Sequence, residues 1–81
     1  MTLRQLRYFA VLGEELNYRR AAEKLFITQP ALSTAIKQLE QQFGVVLFRR
    51  NTREVALTDL GAAWLPQVRQ ALSGVDAVVD N

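Results

Sequence analysis

The side chains best suited to recognition chemistry lie in residues 28–43, where polar and apolar positions recur with the period of a helix. At about 100° per residue, the apolar positions fall on one side and the polar positions on the other. The polar side presents Pro30, Thr34, Lys37 and Gln41. This side holds one Lys and no carboxylate, and the short Ser33 and Thr34 would let the backbone approach a phosphate or a base edge closely. The pattern favours DNA as a partner, and the alternative is an ordinary solvated helix face.

The 81 residues contain few groups that could serve catalysis. The chain has no Cys and no His, which excludes disulfides and thiolate chemistry and removes the usual zinc ligands. Ser33 and Ser73 have no neighbouring base, and the chain has no phosphate-binding loop and no clustered pair of carboxylates. We therefore predict no enzyme activity, no catalytic residue and no metal site.

The polar face needs a helix with defined ends and a buried side. Thr28 is placed to cap the helix over residues 29–43, and Pro30 fits its first turn, where a missing N–H costs little. Gly44 can supply the left-handed residue that ends it. The stripe predicted to be buried consists of Leu32, Ile36, Leu39 and Phe43.

Two earlier helices are predicted to support this one. The second helix would begin at the N-cap Asn17 and pack closely through the small residues Ala21 and Ala22, as a helix-turn-helix requires. The first helix opens with a capping box formed by Thr2 and Gln5, and we interpret it as a scaffold.

A small hairpin and a long helix are predicted to follow. Two runs rich in β-branched and apolar residues, 45–49 and 55–57, flank a segment of turn composition over 50–54. Thr58 would then cap a last helix that runs to about Val79.

Size and charge narrow the class of protein. A length of 81 residues with 49% hydrophobic residues indicates one domain, near the size at which a single core becomes marginal. Residues 1–58 hold nine Lys/Arg and five Asp/Glu, a net charge of +4, whereas residues 59–81 hold one and three, a net charge of −2. The basic part contains the helix-turn-helix and the hairpin, as an anionic partner would require. With no signal peptide and no apolar run of membrane-spanning length, we expect a cytoplasmic protein.

Positions spread along the chain resemble the N-terminal domain of LysR-type transcriptional regulators, a bacterial family. They fall in one register without gaps, from Leu3 to about Leu72, and include Leu6, Phe9, Ala21, Ala22, Glu23, Leu25, Thr28, Gln29, Pro30, Ala31, Leu32, Ser33, Ile36, Leu39, Glu40, Gly44, Leu47, Phe48, Arg50, Leu57, Thr58 and Gly61. The resemblance implies a mainly α fold: a winged helix-turn-helix over residues 1–58, with a three-helix core and a two-stranded wing, then a linker or dimerisation helix over 59–81. It implies no cofactor here, because the effector-binding domain that would take a small molecule is absent from this chain.

We expect three groups of DNA-contacting residues. The resemblance implies the base-reading group and the wing group, and the phosphate group is expected because the first helix of a helix-turn-helix pair crosses the DNA backbone. The recognition helix, about residues 28–43, would read bases in the major groove through Gln29, Pro30, Ser33, Thr34 and Lys37. Phosphate contacts would come from Tyr18, Arg19, Arg20 and Thr28. Solvent-exposed charge beside a half-buried Tyr is the alternative for the first three of these. The wing, about residues 49–54, would meet the minor groove through Arg50 and Arg53, and the alternative is an ordinary charged loop.

The last helix carries an apolar face that a lone domain of this size could scarcely cover. The residues expected to serve dimerisation are Trp64, Leu65, Val68, Leu72, Val75 and Val79. The helix can pack back on its own core, or it can pair antiparallel with its counterpart in a homodimer, as the resemblance implies. We expect both, with the early part on the domain and the later part on the partner. A tetramer at full length is a further expectation.

The sequence is compatible with two functions of different classes. The first is sequence-specific binding of double-stranded DNA by a transcription regulator, as a dimer on a partly palindromic operator. The second is a winged-helix module whose basic face binds an acidic protein. The second function would predict weak, salt-dependent association with duplexes and no base preference.

Overall fold

Four helices and one hairpin make up residues 1–51 and 54–80, the part of the chain that the structure, a computed structural model, describes. They are α1 (Leu3–Glu15), α2 (Tyr18–Leu25), α3 (Gln29–Phe43), β1 (Phe48–Arg50), β2 (Val55–Leu57) and α4 (Asp59–Val79). The two strands pair antiparallel, with Arg49 opposite Ala56. The predicted mainly α, winged helix-turn-helix architecture with a long last helix is confirmed. None of these four helices has the length and apolar content needed to span a membrane.

Short polar side chains cap the start of every one of these helices, as the sequence predicts. The Gln5 amide donates to Oγ1 of Thr2 at 3.1 Å, and the Thr2 amide donates to Oε1 of Gln5 at 3.0 Å. Asn17, Thr28 and Thr58 each accept a hydrogen bond from an amide in the first turn of α2, α3 and α4. These amides have no partner within their own helix, so the caps fix where each helix begins.

Left-handed residues end the first three helices. Gly44 has a φ of 62° at the end of α3, as predicted, while Leu16 and Phe26 have φ of 50° and 58° at the ends of α1 and α2. A residue with a Cβ atom is disfavoured in this conformation. Backbone hydrogen bonds close both corners, because the Leu16 amide donates to the Leu12 carbonyl and the Phe26 amide donates to the Glu23 carbonyl. Phe26 stands in the turn between α2 and α3 with 94% of its surface exposed.

The hydrophobic core lies where α1, α3 and α4 meet the segment that leads into the wing. Its largest fully buried side chains are Phe9, Leu12, Leu32, Ile36, Leu39 and Leu47. The predicted stripe of α3 is therefore buried except for Phe43, which is 43% exposed. Phe43 is the last residue of α3 and lies at the edge of the core, where its ring packs edge-on against Trp64 with centroids 5.8 Å apart.

α4 is buried against its own domain along much of its length. Leu65, Val68 and Leu72, which we expected to serve dimerisation, are only 7%, 8% and 8% exposed and belong to the core. This burial agrees with the expectation that the early part of α4 packs on its own domain, although an apolar period alone does not show which surface covers a stripe. Residues 1–58 and 59–81 consequently share one core, and the role of α4 in a dimer stays a prediction.

Two ion pairs join α4 to α1. Arg7 lies 2.9 Å from Asp76, and Arg69 lies 3.0 Å from Glu14. Both pairs are partly exposed, so each contributes little to stability, but the first shows that contact with α1 reaches residue 76. Three residues of the expected dimer surface stay accessible in the single chain: Trp64, Val75 and Val79.

The first turn of α4 lies directly against the backbone that leads into β1. The Thr58 hydroxyl donates to the Val46 carbonyl at 2.7 Å, and the Thr58 amide donates to the Leu47 carbonyl at 3.0 Å. Gly61 faces the same Leu47 carbonyl so closely that a Cβ atom would collide with it. The absence of a side chain at this position allows α4 and the wing to meet.

Candidate nucleic-acid interface

The five side chains predicted to read bases belong to α3. Gln29, Pro30, Thr34 and Lys37 are exposed, and Ser33 is half-buried. Within the described ranges, no hydrogen bond or ion pair engages these side chains. This part of α3 offers an amide, two hydroxyls and an ammonium group, all of which can bond base edges. The assignment of particular bases stays a prediction.

The residues predicted to contact phosphate differ in what they already bind. Nη1 of Arg19 lies 3.1 Å from Oε1 of Glu23, one turn further along α2, so the charge of Arg19 is compensated. Arg20 is exposed and has no carboxylate partner in the part of the chain that the structure describes. The Thr28 hydroxyl accepts from the Ala31 amide at 3.3 Å and keeps its own proton to donate. Arg20 is therefore better placed than Arg19 to neutralise an anion.

Tyr18 and Arg50 bring the start of α2 and the wing together. The guanidinium carbon of Arg50 lies 4.9 Å from the centroid of the Tyr18 ring, within the range of a cation–π contact. Burial raises the pKa of the Tyr18 phenol, the Arg50 charge opposes this, and Glu40 adds to the rise. The phenol is therefore neutral near pH 7 and can donate a hydrogen bond. Arg53, the other predicted wing residue, lies outside the described residues.

Glu40 has a structural role that our sequence interpretation missed. Its Oε2 accepts hydrogen bonds from the amides of Leu47 and Phe48, at 2.6 Å and 3.2 Å. Glu40 is half-buried, and these two hydrogen bonds tie α3 to the start of the wing. The signal available in the sequence was the place of Glu40 among the positions that carry the family resemblance.

The cationic side chains fall into two groups. Four of them form ion pairs with carboxylates: Arg7, Arg19, Lys24 and Arg69. In residues 1–51 and 54–80, the cations without a carboxylate partner are Arg4, Arg20, Lys37, Arg49 and Arg50. This second group lies at the start of α1, at the start of α2, on α3 and in β1. Lys37 is part of the polar face of α3, and Arg4 lines a groove beside it with Pro30 and Thr34, so uncompensated positive charge accompanies this face. No three His, Cys, Asp or Glu side chains of the same ranges form a cluster that could hold a metal ion.

The three-helix core, the polar face of α3 and the adjoining hairpin define a winged helix-turn-helix domain. Residues 3–62 match the protein family described as "Bacterial regulatory helix-turn-helix protein, lysR family". The chain therefore belongs to the LysR family, as its resemblance to that family predicts.

Relatives and solved structures agree with this assignment. The chain is 52% identical, over all 81 of its residues and 27% of the relative, to the HTH-type transcriptional regulator IlvR of Caulobacter vibrioides. It matches the BenM DBD in the crystal structure of its complex with catB site 1 DNA, with a TM-score of 0.94 and 41% identity over 99% of this chain and 90% of that one. It also matches full-length CbnR complexed with its target DNA, with a TM-score of 0.91 and 36% identity over 99% of this chain and 28% of that one. The chain spans about a quarter of the length of the first curated relatives it matches.

Proposed function

We propose that this chain is the sequence-specific DNA-binding part of a LysR-type transcription regulator. α3 enters the major groove, and the wing meets the adjacent minor groove. The observation that carries the proposal is the polar face of α3. Its hydrogen-bonding groups have no partner in the described chain, and uncompensated cations accompany it. DNA complexes of two structural relatives, BenM and CbnR, support the same partner. No specific feature favours the alternative, a module that binds acidic proteins.

The chemistry of the side chains suggests a division of roles. Gln29 can bond an adenine edge with both its donor and its acceptor, and Lys37 can donate to O6 and N7 of guanine. Pro30 or the methyl group of Thr34 can contact a thymine methyl group. Arg20, at the start of α2, would neutralise a phosphate and so position the domain without selecting a sequence.

Selection of the 81-residue chain against random duplexes, followed by sequencing, tests the proposal. We expect inverted, paired half-sites to be enriched, because a two-fold dimer places one recognition helix in each of two major grooves. Enrichment of a single half-site would retain the DNA-reading role and contradict the dimer. Salt-sensitive binding without any enrichment would contradict sequence-specific recognition and favour the protein-binding alternative.

Lys37→Ala should reveal whether this ammonium group reads a base. We expect operator binding to weaken by roughly 1–3 kcal/mol, with relaxed preference at one position of each half-site. Competition titrations with single-position variants of the selected duplex would measure this. Gln42→Ala, a change of an exposed residue in the last turn of α3, is the control and should leave the preference unchanged. Equal weakening on every sequence would reduce Lys37 to a phosphate contact.

The contact between Tyr18 and Arg50 should make the two residues interdependent in DNA binding. Tyr18→Leu removes the ring that lies against the guanidinium, and we expect it to weaken binding by about 0.5–1 kcal/mol. The same change should have a much smaller effect when Arg50 is already Ala. Fluorescence anisotropy on the four members of this double-mutant cycle measures the coupling.

The variant Tyr18→Phe separates this coupling from a direct contact of the phenol with phosphate. It keeps the ring beside Arg50, so it should retain the coupling and lose only a bond made by the hydroxyl. Equal losses for Tyr18→Leu with and without the Arg50 side chain would show that the two residues act independently.

We also propose that α4 pairs with α4 of a second copy in a homodimer. An apolar groove of about 390 Å³ lies between α1, α3 and α4, lined in part by Leu6, Phe43 and Trp64. Further along α4, Val78 and Val79 are 75% and 74% exposed. Burying this apolar surface in a partner would stabilise the assembly.

Val78→Asp should weaken the dimer about tenfold or more, because it places a charge on a surface that association would bury. Gln70→Asp adds the same charge at another exposed position of α4 and is the control. Sedimentation equilibrium measures both dissociation constants, and equal values would place the interface elsewhere. We further propose that the full-length protein forms a tetramer and binds a small-molecule effector outside these 81 residues. It would act in the cytoplasm.

A further inference from the structure

A groove of about 600 Å³ runs between the first turns of α1 and one edge of α3. α1 contributes Arg4, Gln5 and Tyr8 to its walls, and α3 contributes Pro30, Thr34 and Gln38. We call it the α1–α3 groove. Two of its α3 residues, Pro30 and Thr34, also belong to the predicted base-reading set. Any partner that lies along this edge of α3 therefore meets α1 as well.

The two sides of α1 differ in charge. The α1–α3 groove is lined by Arg4 and by no carboxylate, and the first turn of α1 holds no acidic residue. Arg4 is exposed and has no carboxylate partner among the described residues. Arg7, one turn later, lines a separate cavity and is paired with Asp76 at 2.9 Å. α1 thus directs one uncompensated cation toward the groove, while the neighbouring cation is neutralised on the α4 side.

The dimensions of DNA suggest what occupies the groove. An α-helix with its side chains is about 10–12 Å wide and the major groove is about 12 Å wide, so a recognition helix fills the groove and a phosphate strand passes along each of its flanks. One flank of α3, at Pro30, Thr34 and Gln38, is the wall of the α1–α3 groove. A strand on that flank would run beside Arg4, whose guanidinium suits phosphate geometry.

We propose that the α1–α3 groove seats one phosphate strand of the bound duplex and that Arg4 makes an ion pair with it. This inference rests on the proposed function and extends it, because α1 then takes part in binding in addition to supporting α3. Because the contact is to the sugar–phosphate backbone, it adds affinity and fixes the docking of α3 without selecting bases. Tyr8 and Gln5 offer further hydrogen-bonding groups in the same groove.

Arg4→Gln and Arg7→Gln form a matched pair for the test, because both remove one positive charge from α1 and only Arg4 lines the groove. Fluorescence anisotropy of the 81-residue chain would give the dependence of log K on log salt, for the selected duplex and for an unrelated duplex of equal length. We expect Arg4→Gln to lower the steepness of this dependence by about one for each bound chain, on both duplexes. Arg7→Gln should leave it unchanged, and Arg4→Lys should retain the wild-type value.

The inference is overturned if Arg4→Gln and Arg7→Gln give the same slope, or if Arg4→Lys loses as much as Arg4→Gln. It is also overturned if Arg4→Gln alters the selected sequence, since a phosphate contact cannot do so. Thermal unfolding followed by circular dichroism checks that each variant is folded at the assay temperature. Failure of the proposed function would look different, because the wild-type protein would then bind without base preference. The slopes of log K against log salt could still be measured on the unrelated duplex.

Discussion

Replacing Gly61 by Ala should destabilise the fold, because forcing an extra atom into a packed site costs about 1–3 kcal/mol and sometimes more. A Cβ atom at Gly61 would collide with the carbonyl oxygen of Leu47 and would lie 3.0 Å from Cδ2 of Leu57. The oxygen is a backbone atom that also accepts the hydrogen bond of the Thr58 amide, so it cannot turn away as a flexible side chain would. The better helix propensity of Ala, worth about 1 kcal/mol, offsets only part of this cost.

Gly74→Ala provides the matched control, because Gly74 lies in the same helix and no atom within 4 Å would meet its added methyl group. This change should be neutral or stabilise α4 by up to about 1 kcal/mol. Urea unfolding followed by circular dichroism gives both free energies of unfolding. Equal stabilities for the two variants would show that α4 and the wing do not meet as closely as the structure places them.

Glu40→Ala should lower the free energy of unfolding by about 2 kcal/mol or more, since it leaves two partly buried amides without an acceptor. The amides are those of Leu47 and Phe48, at the entrance to the wing. Releasing them should also loosen the wing, so DNA affinity should fall in conditions where the protein remains fully folded. Urea unfolding and anisotropy titration would measure the two effects separately.

Two further variants, Glu40→Gln and Gln42→Ala, are the controls for this experiment. Glu40→Gln keeps an acceptor oxygen and loses the charge, so its stability should lie between those of the wild type and Glu40→Ala. Gln42 is exposed, and its truncation should change the free energy of unfolding by less than about 0.5 kcal/mol. If Glu40→Ala were no more destabilising than Gln42→Ala, the two amides would have another acceptor.

The helices could be predicted from the sequence because the signals that set them are local. Thr2, Asn17, Thr28 and Thr58 cap amides only three residues away, and apolar periodicity identified the buried side of α3. The left-handed corner at Phe26 was not predicted, because Phe disfavours the left-handed conformation that it adopts there.

Features that join distant segments could not be predicted in the same way. The hydrogen bonds of Glu40 reach seven and eight residues along the chain, and the ion pair between Arg7 and Asp76 spans 69 residues. Composition identifies a Glu or an Arg but not the group that faces it after folding. For the same reason, the sequence located the basic residues of the candidate site without separating compensated Arg19 from uncompensated Arg20.

Because α4 packs firmly on α1, α4 and the DNA-binding domain would move as one rigid body in the proposed dimer. α4 is anchored in the core by Leu65, Val68 and Leu72, so the DNA-binding domain turns whenever α4 tilts. A helix of 21 residues is about 30 Å long, and a tilt of about 5° moves its far end by about 2.6 Å. That displacement nearly equals the length of a hydrogen bond to a base edge. A small change in the angle between two α4 helices would therefore take one domain out of register with its half-site without deforming either domain.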